Sequence, residues 1–197
     1  MKKTIIIAIL GVAISAVIIT ALALLTFGNR TSDSVPTLKL ETPQKVSLSD
    51  ETVTLDLTVS ALGEALYPAV SASISFDPSK LEFLGVEEGN INVYGGNGKS
   101  KLPEWSCNTA QCNESGIINV MYLDLTGGKN SFSNQLFDKE RNVVLRLKFR
   151  LRGSLADGDV CDIIIEDAVF AASDEAQSLA SSKSTLKTKN GKIIIKK

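Results

Sequence analysis

Histidine is missing from this 197-residue chain, tryptophan occurs once, and tyrosine and cysteine occur three times each. The first absence removes Ser-His-Asp and Cys-His nucleophile systems, imidazole zinc sites and the commonest general base near neutral pH. A surplus of either charge is also lacking. The 21 Lys and Arg nearly balance the 22 Asp and Glu, so bulk charge recruits neither nucleic acid nor an acidic membrane. What remains, 44% hydrophobic and 22% charged residues, is the composition of a folded chain with one ordinary domain. Enzyme-like fragments fail on their own terms. Gly98-Lys99-Ser100 ends like a P-loop, but Val93 stands where the first Gly belongs; Ser184-Thr185-Leu186-Lys187 has a Ser-x-x-Lys spacing without its companion motifs. Asp157-Gly158-Asp159 lacks the spaced oxygens and closing Glu of a calcium loop. The chain is therefore expected to be non-catalytic, with no metal site and no cofactor of its own.

Charge is also missing from residues 4–27, which are rich in Ile, Leu, Ala and Val and follow Lys2 and Lys3. At 1.5 Å per residue the run makes a helix of about 36 Å, enough to cross a hydrocarbon core of about 30 Å. It is longer than the apolar region of a cleavable signal peptide, although Ala21-Leu22-Ala23 offers a small-x-small site, so an uncleaved anchor and late cleavage are both open. All 22 acidic residues lie beyond it, and positive-inside orientation then keeps residues 1–3 as a cytoplasmic tip and sends the remainder outside. Residues 28–36 read as a short linker and residues 37–197 as one exterior domain, displayed on a bacterial membrane or secreted if the segment is cut.

The exterior chain shows period-two patterning. In residues 52–59, Val53, Leu55, Leu57 and Val59 alternate with Thr and Asp; Val143, Leu145, Leu147, Phe149 and Leu151 alternate with a partly basic set; Val70, Ala72, Ile74 and Phe76 alternate with Ala69 and three serines. Further strands are expected at 38–40, 45–48, 81–86, 117–123, 161–166 and 192–196, separated by turn residues such as Asp77-Pro78, Gly127-Gly128 and Asn190-Gly191. About nine short strands without a convincing helix predict an all-β jelly-roll β-sandwich, preceded by one N-terminal transmembrane helix.

The run from Phe76-Asp77-Pro78 through Leu81-Glu82 to Gly85 and Gly89 resembles a segment of the cohesin modules of cellulosomal scaffolding proteins. Residues 116–124, 143–152, 168–171 and 190–193 resemble the strands that follow it in that family, in the same order, and the resemblance covers residues 44–195. Related carbohydrate-binding modules share the architecture. The resemblance implies a non-catalytic adaptor that binds dockerin modules of secreted glycoside hydrolases or related enzymes through one sheet face. Dockerins resemble paired EF-hand loops, so calcium is expected on the partner and not on this chain.

The family's contact sheet, carried over, includes the strands at 69–76, 117–123 and 143–152. Alternation then points Ser71, Ser73, Ser75, Asn119, Met121, Leu123, Arg146, Lys148 and Arg150 at the partner. The opposite register of 117–123, with Ile118, Val120 and Tyr122 outward, stays open, although Asn119 favours the first. Many cohesins carry Asn and Asp where this chain has Ala69 and Ser71. Under the carbohydrate-binding alternative Tyr94 and Trp105 stack on sugar; their commoner fate is packing. A structural envelope protein is the third reading. Cys107 and Cys112 are candidates for a disulfide in an oxidising exterior, and Cys161 is left over as a small apolar core residue.

Overall fold

The computed structural model describes residues 35–43, 46–50, 52–94, 99–153 and 155–196. The expected cytoplasmic tip, the membrane segment and residues 28–34 of the linker lie outside the described residues. Among those described, no helix is long and apolar enough to cross a membrane.

Fourteen strand segments form in chain order: β1 Thr37–Leu40, β2 Val53–Val59, β3 Leu66–Tyr67, β4 Ala69–Phe76, β5 Leu81–Glu88, β6 Val93–Tyr94, β7 Ser100–Lys101, β8 Ile117–Leu123, β9 Phe132–Ser133, β10 Val143–Leu151, β11 Val160–Ala171, β12 Leu179–Ala180, β13 Lys187–Lys189 and β14 Gly191–Ile194. One short helix, α1 Thr109–Ser115, precedes β8. The first sheet runs β13-β1-β2-β10-β5; the second runs β12-β11-β4-β8, with β14 beside the start of β11. The pairing of β1 with β13 is parallel, and the other pairings of these two sheets are antiparallel.

Alternation explains what the sandwich buries. Val53, Leu55, Leu57 and Val59 of β2 and Leu147 and Phe149 of β10 line one wall. Val70, Ala72, Ile74 and Phe76 of β4 with Ile118, Val120 and Tyr122 of β8 line the other. Aromatic rings fill the middle in two groups. Phe149 stands 5.6 Å from both Phe76 and Phe83, and Phe132 links Tyr122 to Phe170, the latter in edge contact with Tyr67. Among the described residues this core runs from Leu38 to Ile195.

Four sequence expectations need correction. At 45–48 only Val46 takes part in a described pairing, a single parallel bridge to Ile195, and Lys45 lies outside the described residues. The strand expected at 161–166 continues to Ala171 through an irregularity between Ile165 and Asp167, because the extra residue lets a second apolar pair, Ala168 and Phe170, face inward. The helix α1 is a further difference, since the sequence offers no convincing helix there.

The fourth correction concerns the basic stripe. Arg146, Lys148 and Arg150 do point outward, but β10 lies in the first sheet between β2 and β5, on the opposite side of the sandwich from β4 and β8. Its neighbours supply acids. Arg146 pairs with Asp56 (3.1 Å), Lys148 with Glu87 (2.8 Å), and Arg150 and Arg152 with Glu82 (3.1 and 3.5 Å). Alternation within one strand fixes which side chains share a face; it carries no information on which sheet the strand joins.

Gly89 is required by close approach. A Cβ there would lie 1.9 Å from the Val143 carbonyl oxygen, which accepts from the Asn90 and Ile91 amides.

Thermal and denaturant unfolding should separate these layers. Phe149→Ala should cost about 3–5 kcal/mol, whereas Lys148→Ala, which loses one exposed ion pair, should cost under about 1 kcal/mol.

A second expectation concerns acid. Hydrogen bonds from the Ser79 hydroxyl and amide hold the Asp77 carboxyl below its usual range. Asp138 is held low by Arg141 and by the Arg141 and Glu140 amides. For Asp124 burial pushes upward, but the Thr126 hydroxyl and the Asn130, Thr126 and Gly128 amides outweigh it. Because these folded-state values are depressed, their stabilisation is present above the ordinary carboxylate range and is lost as pH falls through it. Melting temperature should therefore fall on acidification, and Asp124→Asn should flatten that dependence; an unchanged slope would assign the loss elsewhere.

Candidate functional site: the outer face of the second sheet

Three strands set the rows of this face. β4 pairs with β8 so that Ala69, Ser71, Ser73 and Ser75 stand opposite Leu123, Met121, Asn119 and Ile117. On its other edge β11 places Ala171, Val169, Asp167 and Ile164 opposite the same four β4 residues. The register left open by the sequence is thereby resolved: Ile118, Val120 and Tyr122 are buried, and Asn119, Met121 and Leu123 are exposed. Met121 and Leu123 keep about half their surface in water, and Leu125, just past β8, keeps 85%.

The composition across the rows is uneven. One end carries Leu123, Met121, Val169 and the two alanines, an exposed apolar patch that Leu125 follows in the turn after β8. The middle row holds Asp167, Ser73 and Asn119. Toward the other end Ser75 donates a hydrogen bond to Glu166, with Ile117 and Ile164 alongside. Asp167 accepts from the Ser181 hydroxyl, which orients the carboxylate while leaving it at the groove wall.

A fourth strip extends the sheet. Ser106 donates its amide to the Met121 carbonyl (2.8 Å) and accepts from the Met121 amide (3.1 Å). The result is an open groove of about 610 Å³ between this strip and β11, with Ser71, Ser73, Asn119 and Met121 on its floor. The turn after β8 is held by Asp124, which accepts from the Thr126 and Asn130 amides. Beneath the groove Tyr122 donates to the Asn130 carbonyl. Burial, with Asp124 and Glu104 adding to it, pushes its hydroxyl up to about 12, so it stays a neutral donor.

Helix α1 anchors the strip from behind. Asn108 caps it, its side chain accepting from the Gln111 amide (3.2 Å), and Gly116 ends it in the left-handed region at φ 70°, donating to the Cys112 carbonyl. Within the helix, Asn113 accepts from the Phe83 amide and donates to the Phe83 carbonyl, both at 2.8 Å, so it stands in for a strand beside β5. The signal for this helix was in the sequence: Asn108 followed three residues later by Gln111, and Gly116 past the end.

Of the expected contact residues, Ser71, Ser73, Ser75, Asn119, Met121 and Leu123 come together here, and Arg146, Lys148 and Arg150 do not. Sequence reading missed Ser106, Leu125, Ile164, Asp167 and Val169. The alternation of Asp162, Ile164 and Glu166 was a usable signal for β11, but the irregularity after Ile165 inverts the phase for Asp167 and Val169.

The aromatic pair of the sugar-binding alternative forms no platform. Trp105 packs against Tyr122 and Phe132 at 6.0 and 6.1 Å, with its indole nitrogen buried, and the Tyr94 hydroxyl is tied to Gln135. Cys107 and Cys112 carry free thiols whose sulfurs stand 3.7 Å apart, in contact but not bonded. Cys161 is buried in the core as expected. Among the described residues, no group of three acidic or cysteine side chains is placed to hold a metal ion.

Comparison with known proteins gives this face a context. The Cohesin domain family matches residues 36–195. No curated protein matches. Among solved structures, the cohesin of the OlpC cohesin–Doc435 complex from Clostridium thermocellum superposes with a TM-score of 0.61 at 18% identity, covering 85% of this chain and 97% of its own. The third ScaC cohesin of Acetivibrio cellulolyticus, solved with the ScaB dockerin, gives 0.60 at 14% identity, covering 82% and 99%. A non-cellulosomal cohesin from the archaeon Archaeoglobus fulgidus gives 0.54 at 12% identity, covering 83% and 93%. With the family matched over most of its length and the same two-sheet fold around one core, this chain belongs to the cohesin family.

Proposed function

We propose that this cohesin module is a non-catalytic cell-surface adaptor that captures dockerin-bearing enzymes, such as secreted glycoside hydrolases, on the outer face of β11, β4 and β8. The observation that carries the reading is the exposed apolar end of that face, Met121, Leu123 and Leu125, set beside the polar row of Ser73, Asn119 and Asp167. Such an exposed apolar patch bordered by polar side chains suits a protein partner. Solved relatives hold dockerins in their complexes, which supports the partner class. With Ala69 and Ser71 on β4 where many cohesins carry Asn and Asp, the Asn and Asp of this face come from β8 and β11 as Asn119 and Asp167, so the partner is a divergent dockerin.

In this reading residues 4–27 anchor the module, residues 28–36 tether it, and residues 37–197 face out. The anchor rests on the uncharged apolar run behind Lys2 and Lys3. Calcium belongs to the partner's loops.

A pull-down from the organism's culture supernatant, with and without chelator, tests the reading by mass spectrometry. Dockerin-bearing proteins should be retained in calcium and released by chelation, while this domain stays folded. Leu123→Asp should weaken capture by about 2–4 kcal/mol by placing an unpaired charge in the apolar patch. Lys148→Glu, on the opposite side, should leave capture unchanged. Retention of polysaccharide in place of any dockerin-bearing protein, or equal sensitivity to the two substitutions, would overturn the assignment.

A further inference from the structure

Cys107 and Cys112 occupy two defined positions of a helix start. With Asn108 as the cap, Cys107 immediately precedes it and Cys112 is the fourth helical residue. These are the positions at which apolar side chains meet across the first turn and fix how the chain joins its helix. Here the contact is sulfur on sulfur at 3.7 Å. Cap geometry, and not chance proximity of two loops, therefore holds the thiols together. A disulfide bond of about 2.0 Å requires the two sulfurs to move closer from this contact.

The surroundings say what such a bond would fasten. Cys107 is half-buried and lines the groove, so a small reagent reaches it from the candidate face; Cys112 is buried beneath it. Ser106, one residue before Cys107, is joined to the sheet through a single bridge to Met121. Helix α1 is held more firmly, by the two Asn113 bonds to β5 and by its packing into the core through Cys112. A strip with one bridge opens more readily than the strands behind it.

We propose that Cys107 and Cys112 form a dithiol site that a small disulfide oxidant converts to an intramolecular disulfide, locking the Ser106 strip against α1 and fixing one wall of the groove. Cys107 thiolate attacks the oxidant's disulfide, giving a mixed disulfide and releasing one thiol. Cys112 thiolate then attacks the Cys107 sulfur and releases the second. The protein loses two electrons and two protons; the oxidant gains both and leaves as two thiols. Burial pushes the Cys107 thiol up to about 12, with the Cys112 contact adding to it, so the reaction is slow at neutral pH. Cys161, buried in β11, remains a thiol throughout.

The consequence for capture rests on the docking reading, whereas the disulfide does not, and the test keeps the two apart. The full chain is incubated with oxidised glutathione, or with reductant, and its thiols are titrated after denaturation. Oxidation should lower the titre from three to one, lower the mass by two hydrogens, and give a cross-linked peptide containing both residues. Hydrogen exchange at the Ser106 and Met121 amides should then slow by roughly tenfold in the oxidised chain, and the Cys107→Ser, Cys112→Ser double variant should show no response to oxidant. An unchanged titre, retention of glutathione on Cys107, or exchange at those amides equal in both forms would overturn the proposal. In a final arm, oxidised and reduced chains are compared for calcium-dependent capture from culture supernatant. Slower release from the oxidised chain is expected. Slowed exchange without any capture would sink the docking reading and leave the disulfide standing.

Discussion

The register of β4 against β8 and β11 is the constraint on which the candidate surface depends. A slip of one residue would bury Ser71, Ser73 and Ser75 and turn Val70, Ala72 and Ile74 toward water, replacing the groove floor with core residues. Several contacts oppose that slip. Ile74 and Ile118 are fully buried and paired across the strands, and Phe76 meets Phe149 from the other sheet. The Phe76 amide also donates to the Gly116 carbonyl, tying the end of β4 to the end of α1. The candidate face is in this sense the reverse side of the core: the same pairings that pack aromatic rings inward arrange serine, asparagine and methionine outward.

The two outer faces show how similar patterns acquire different chemistry. On the first sheet, cations of β10 stand opposite acids of β2 and β5, and each charge is answered by a neighbour. A partner approaching there would have to displace ion pairs already made, and exposed pairs contribute little to affinity once broken and remade. On the second sheet the exposed apolar residues have no such neighbours, and burial against a partner would remove them from water.

How much of this was legible in the chain follows from what each signal encodes. The inward and outward sets of β2, β4, β8 and β10 were readable because period two is a property of one strand, and Asn119 correctly chose the phase of β8. The sheet to which β10 belongs was not readable, since it depends on partners distant in sequence: Glu82 and Glu87 lie some sixty residues before the cations they meet. The same limit hid Asp167 and Val169, whose outward position follows from an irregularity opposite β4. Helix α1 is a different case. Its caps, Asn108 and Gly116, were visible, but seven residues with only Ala110 and Cys112 apolar offered too little periodicity to set against them.

Asn113 also bears on whether two copies of this chain can pair through their sheet edges. A side-chain amide offers the same donor and acceptor as a peptide group, and by bonding both sides of Phe83 it occupies part of the β5 edge that another strand would otherwise extend. At the opposite edge of that sheet β13 carries Lys187 and Lys189, and their charges repel a second copy of the same edge. Two copies that meet edge to edge are thereby kept from zipping into a continuous sheet.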